Sequence, residues 1–338
     1  VAIDKNYDTF FNFATGPFKV KSNLQISLSE ENINPKKIPI KMQRLTNKNI
    51  FLSAFYKSCK KNNAILKILQ PEQKLFYGRL FAGKINKKTK AFSANHSYYD
   101  SSSIKEYFNN KISVRTYPFF NNCLNKITMY PIMSPSILKV LVEIYSDGKT
   151  FRSLSKKIKS PSNNPVSFDI NTIVKKSGFT NVSLFKVVVT STDSKIPTRV
   201  NHQLIYGDKN SSSKLQSSIN VSLINNSVYK SPSKKGFIWG QVLINKSYES
   251  RLGICFNDNS GVADEVIIDF YTKSGLFKSL QKKLNPNNSL IFKNDFFNKL
   301  KFPNEFIWYV AKSGRSDLQA ESFHYHLTSG NASGEHSF

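Results

Sequence analysis

The chain has 338 residues, and its 49 Lys+Arg against 22 Asp+Glu give a formal net charge of +27. A hydrophobic fraction of 39%, with 27 Phe and 15 Tyr, is enough to build packed cores and excludes a disordered chain. No run approaches the eighteen apolar residues of a membrane-spanning helix, and Cys59, Cys123 and Cys255, odd in number and without C-x-x-C spacing, argue against a disulfide framework or a cysteine zinc site.

In chain order, the opening VAIDKNYDTFFNF has no basic stretch leading into an apolar core, so no signal peptide is expected within these residues, although the N-terminus is compatible with processing. Alternating apolar runs at Leu24–Leu28 and Ile38–Leu45 predict strands. Further alternating pairs follow at Ile112–Arg115 with Ile127–Met133, and at Ile219–Leu223 with Phe237–Leu243. Each pair precedes an apolar strand ending in Tyr. Short helices are expected at Ser103–Phe108 and Asp169–Lys176, which follow the Ser or Asp that a cap requires.

The chain also repeats itself. Lys139–Ile158 lies without gaps on Glu265–Leu284, with identities at Val140/Val266, Tyr145/Tyr271, Phe151/Phe277, Ser153/Ser279, Leu154/Leu280, Lys156/Lys282 and Lys157/Lys283. In both copies, Gly148 and Gly275 sit where a hairpin turn would join two strands. A weaker third copy covers Phe55–Tyr77, through Phe55/Phe270 and Tyr56/Tyr271. Each copy runs on to a histidine: His96, His202 and His324, three of the five in the chain. The expected fold is all-β: three tandem, weakly repeated antiparallel β-sandwiches, jelly-roll-like, over 1–100, 101–207 and 208–338, with minor helix.

The catalytic motifs are missing. Gly148-Lys149-Thr150 has the tail of a phosphate loop, but Glu143 stands where its first glycine belongs, and neither a dinucleotide fingerprint nor a serine-hydrolase elbow is present. Phe256–Gly261 reads as a turn, because it lacks the spaced carboxylates of a calcium loop. The sharpest chemical feature is His324-Tyr325-His326 followed by Glu335 and His336. In a strand His324 and His326 share a face, and a turn through Gly330 and Gly334 would bring Glu335 or His336 beside them as ligands for Zn or Fe(II). The pattern resembles the H-x-H-then-Glu motif of cupins, with the Glu much later than that family places it. A second arrangement would have His96, His202 and His324 meet on a pseudo-threefold axis. Of the seven arginines, Arg79, Arg115, Arg199 and Arg315 flank the histidine regions and suit ion pairs or an anion clamp.

The 49 cationic residues comprise 42 Lys and 7 Arg, and the lysines come as scattered doublets. With base-reading Arg so scarce, specific nucleic-acid recognition is not expected. The aromatic residues alternate at strand spacing, as core residues would. The leading expectation is a binding or assembly protein whose basic surface suits an acidic polysaccharide or cell-envelope component. The alternatives are a metal-dependent enzyme using His324, His326 and Glu335 or His336, and a self-assembling capsid or shell protein.

Overall fold

A computed structural model describes residues 1–20, 22–29, 37–59, 64–70, 80–96, 107–108, 112–129, 137–146, 148–158, 165–193, 195–197, 200–225, 235–257 and 261–338. The protein is all-β, built from antiparallel sheets, with two short α-helices among the described residues. It divides into two compact units: unit 1 comprises Val1–Ser101 with Pro161–Pro165, and unit 2 comprises Ser102–Ser160 with Val166–Phe338.

Unit 1 contains β1 (Tyr7–Ala14), β2 (Leu24–Ser29), β3 (Ile38–Ile40), β4 (Asn47–Phe51), β5 (Ile65–Leu69), β6 (Phe81–Asn86) and β7 (Phe92–His96), with one 3-10 turn at Leu52–Ala54. Its two sheets run β4-β1-β6-β7 and β3-β2-β5 and enclose Phe11, Phe13, Leu24, Ile26, Ile50 and Leu52.

Unit 2 holds two sandwiches. The first is formed by β8 (Tyr107–Phe108), β9 (Ile112–Pro118), β10 (Cys123–Met129), β11 (Leu138–Ser146), β12 (Lys149–Arg152), β13 (Lys156–Ile158), β14 (Val166–Asp169), α1 (Ile170–Ser177), β15 (Leu184–Ser191), β16 (Ile196–Pro197), β17 (Asn201–Asp208), β18 (Ile219–Ser222) and β19 (Ile224–Asn225). The second comprises β20 (Gly236–Leu243), β21 (Tyr248–Phe256), β22 (Asp264–Thr272), β23 (Gly275–Leu284), β24 (Ser289–Lys293), α2 (Asn294–Lys299), β25 (Phe306–Ser313), β26 (Leu318–His326) and β27 (Ala332–His336).

The two sandwiches share a strand order. Sheets β12-β11-β15-β9 and β14-β10-β17-β18 of the first correspond to β23-β22-β25-β20 and β24-β21-β26-β27 of the second. A helix follows β14 and β24 alike. The repeated segments are the β11–β12 and β22–β23 hairpins, and their turns contain Gly148 and Gly275, both at positive φ. Among the described residues the sheets of unit 1 match the same order without its first strand, so β2 holds the place of β11 and β22. This corrects the alignment of Phe55–Tyr77 with the last copy, which set Phe55 on Phe270 and Tyr56 on Tyr271. Phe55 and Tyr56 follow the 3-10 turn in coil, and residues 71–79 lie outside the described set.

Helix α1 begins where a cap was expected, with the Asp169 carboxylate accepting from the Thr172 N–H at 3.0 Å. Of the stretch 103–108, only Tyr107–Phe108 is described, and it is a strand paired with β16 rather than a helix. The segment 219–223 does not open the third sandwich. Its strand β18 pairs with β17 and completes sheet β14-β10-β17-β18 of the first sandwich of unit 2.

Sheet β24-β21-β26-β27 is covered on both faces. Every residue from Ser250 to Phe256 and from Leu318 to Phe323 is buried. Leu252, Ile254, Phe256, Leu318 and Ala320 enter the core of their own sandwich. Phe323 joins the core of the other, against Phe120 at 5.0 Å and stacked on Tyr206 at 5.1 Å. Gly253 is required at the same contact, since a Cβ there would lie 2.5 Å from the Pro118 ring. Because Phe323 reaches from the second sandwich into the core of the first, Phe323→Ala is expected to destabilise unit 2 by about 3–5 kcal/mol. Urea unfolding of the full chain checks this, with the loss confined to the transition of unit 2.

Candidate functional site

The histidines take different positions on their strands. His202 lies near the start of β17, opposite Met129 and Val221, whereas His324 lies near the end of β26, opposite Ser250 and Ser333. The two therefore fall at opposite ends of corresponding strands, and His96 ends β7 of unit 1, which corresponds to β18 and β27 instead. His324 and His326 do share a face, and both rings stand edge-on to Tyr248, at 5.6 and 5.1 Å. His336, however, pairs opposite Glu321 on the other face of the sheet, and its ring packs 5.0 Å from Phe338. Among the described residues no three His, Cys, Asp or Glu side chains come together as a metal would need, so His324, His326, Glu335 and His336 do not assemble the expected Zn or Fe(II) site.

Two of the four arginines are internal. Arg315 clamps Asp317 through Nε and Nη2 at 3.0 and 2.8 Å, an ordinary ion pair. Arg115 approaches Glu321 at 3.8 Å across the junction of the two sandwiches. Arg79 and Arg199 lie outside the described residues. Glu321 is fully buried, and neither carboxylate oxygen accepts a hydrogen bond. Beside it, the Tyr117 hydroxyl bonds His202 Nε2 at 2.5 Å, and the Tyr206 hydroxyl donates to the Pro118 carbonyl at 2.8 Å. The backbone of Thr116, two residues before the end of β9, is completed from the other sandwich. Asn257 Oδ1 accepts from the Thr116 N–H at 2.9 Å, and Gln319 Nε2 donates to the Thr116 carbonyl. Asn257 thus belongs to the junction, and residues 258–260 of the stretch read as a turn lie outside the described set.

Burial pushes Glu321 up to about 8 despite Arg115, and holds His202 down to about 3 and His324 to about 4. Between its ordinary 4.5 and about 8, folded Glu321 keeps a proton that the unfolded chain has lost, so its contribution to stability falls as pH rises through that window. Below 6.5 the histidines act in the opposite sense. The unfolded chain binds protons that the folded one refuses, and stability rises with pH up to about 6.5. Glu321→Gln, the neutral shape of the acid, is therefore expected to remove the decline between about 6.5 and 8 while leaving the acid limb in place. Melting temperatures recorded from acid to pH 9 test this. A decline that persists in the variant contradicts the assignment.

A solvent-facing feature lies on the outer side of sheet β20-β25-β22-β23. Phe237 and Trp239 on β20, and Phe306 and Trp308 on β25, alternate with the core residues Ile238, Val242, Ile307 and Tyr309. These aromatics do have strand spacing, but they point outward. Phe237, Trp239, Phe306 and Trp308 are 59%, 39%, 52% and 43% exposed, as no core aromatic would be. Trp239 sits opposite Val310 and Trp308 opposite Gln241, which makes the two indoles diagonal neighbours with ring centres 5.7 Å apart. Tyr271 lies opposite Trp308, and Phe338 stacks on Trp239 at 5.1 Å while both its backbone groups pair with those of Trp239. These are the only two tryptophans of the chain. The available signal was a run such as FIWG, apolar on both of its faces, on a strand whose sheet has one core beneath it. No protein-family model matches the sequence, and no curated protein matches it significantly.

Proposed function

We propose that the protein is a β-sandwich binding protein that holds a glycan on the aromatic outer face of sheet β20-β25-β22-β23, with a preference for acidic polysaccharides. The observation that carries this reading is the adjacent exposure of Trp239 and Trp308. An indole face offers a rigid apolar plane with an N–H at its edge, and the C–H face of a sugar ring packs on such a plane with little loss of side-chain freedom. A strand ladder fixes the spacing of the rings, which favours an extended chain over a globular partner. Gln241 and the Lys312–Asp269 pair, at 3.1 Å, lie among the rings and supply polar groups for hydroxyls. The net charge of +27 supplies long-range attraction to uronate or sulfate groups.

Because both tryptophans of the chain lie on this face, their fluorescence reports on it alone. Titration with pectate, alginate and a neutral glucan is expected to change the emission with the acidic polymers first, and more weakly as salt is raised. Trp239→Ala and Trp308→Ala are each expected to weaken binding by on the order of 2 kcal/mol. Wild-type affinity in both variants, measured by affinity electrophoresis, overturns the reading. Affinity unchanged at high salt removes its electrostatic part.

A further inference from the structure

A second place on unit 2 has the chemistry of a small-ligand site. Between the two sandwiches opens a cleft of about 420 Å³. It is formed by the turn between β9 and β10, the segment between α1 and β15, and the β23–β24 connection with β24 itself. Its polar lining consists of Asn121, Asn181, Asn285 and Asn288 with Lys283 and Lys293, over a floor that includes Val182, Leu284 and Ile291. Ser183 and Ser289 lock the two sandwiches together at this point: the Ser289 N–H donates to Ser183 Oγ at 2.8 Å, and Ser289 Oγ donates to the Ser183 carbonyl at 2.7 Å.

Three observations narrow what the cleft can take. The first is the state of its amides. Among the described residues the side chains of Asn121, Asn181, Asn285 and Asn288 make no hydrogen bond, so four carboxamides, each with two donors and an acceptor, stand unengaged around one space. Second, the lining carries two ammonium groups and no carboxylate. Lys283 faces Glu265 in the strand ladder, yet neither it nor Lys293 forms an ion pair among the described residues. A metal ion or a cationic ligand has no counter-charge there, whereas an anion finds two. Third, the only aromatic ring of the lining is Phe119, which is buried, so no open ring face is offered to a nucleobase.

We infer that this cleft binds an acidic sugar of one or two residues, with its carboxylate between Lys283 and Lys293 and its hydroxyls on the four asparagine amides. The volume fits that size class, and amides with lysines, rather than stacked rings, suit a polar ligand held by its edges. The site is separate from the aromatic face in sequence and chemistry, and it stands whether or not that face binds a glycan.

The test is calorimetric and NMR titration of the full chain with digalacturonate, cellobiose and inorganic phosphate. The expected result is binding of digalacturonate, at least tenfold weaker binding of cellobiose, and protection of the asparagine side-chain resonances. Lys283→Ala with Lys293→Ala is expected to cost tenfold or more for digalacturonate, as is Asn181→Ala with Asn288→Ala. Trp239→Ala with Trp308→Ala is expected to leave binding here unchanged, which separates this site from the aromatic face. Equal binding of cellobiose and digalacturonate, unchanged binding in both cleft variants, or no heat and no shifts with digalacturonate overturns the proposal. Phosphate competing as well as digalacturonate overturns the sugar and leaves an anion site alone. The four substituted residues lie at the surface or in loops, and a melting curve within a few degrees of wild type confirms that a loss belongs to the site.

Discussion

Unit 2 depends on burying sheet β24-β21-β26-β27 on both faces. A sheet in a lone sandwich needs apolar residues on one side only, but here the second side rests on another sandwich and carries mixed chemistry. Gly253 and Phe323 make the apolar contact, and Asn257 and Gln319 complete β9 through the backbone of Thr116. Buried backbone groups must find partners, and those of Thr116 find them only across the junction. Separating the sandwiches would therefore expose an aromatic core residue and strand an N–H and a carbonyl together. Glu321 works against this union, because a buried carboxyl without a hydrogen bond is tolerated only by holding its proton or by drawing on Arg115.

That same double burial explains which parts of the fold could be read from the sequence. The β11–β12 and β22–β23 hairpins were legible because they have one core beneath them and a glycine turn at their tip, so alternation and repeat agree. The Asp169 cap was legible because a cap is a local interaction. Strand β21 was not, since Tyr-Glu-Ser-Arg-Leu-Gly-Ile-Cys-Phe mixes charge with apolar residues in no simple period, its second face being specified by a different sandwich. The third copy, through Phe55 and Tyr56, matched aromatic against aromatic in an aromatic-rich chain, and the structure moves its counterpart to β2. The histidines misled in the same way. Their recurrence suggested a shared position, but corresponding strands place His202 and His324 at opposite ends.

The positive charge also acquires a place. Lys156 and Lys157 lie on β13, and Lys282 and Lys283 on β23; both are outer strands of corresponding sheets. Lysines along such an edge discourage the addition of a further strand. Lys175 and Lys176 occupy the last turn of α1, where cations complement the helix dipole. These doublets have structural reasons that would hold with no partner present. Lys283 differs in position: the end of β23 carries it into the cleft, where a residue suited to edge protection also faces the unengaged amides of the neighbouring loops.

The cleft and the junction are physically one feature. Its walls come from both sandwiches, with Asn121 and Asn181 contributed by one and Asn285 and Asn288 by the other, and the serine pair fixes their separation. A ligand that reaches both walls binds only the joined state, so its binding free energy adds to the cohesion of unit 2 by linkage. The aromatic face has no such coupling, since Trp239, Trp308 and Tyr271 all belong to one sheet of one sandwich. Occupancy of the two places therefore has different physical consequences: a chain lying on the tryptophans leaves the junction as it was, whereas a small acid in the cleft tightens the contact that keeps Glu321 buried.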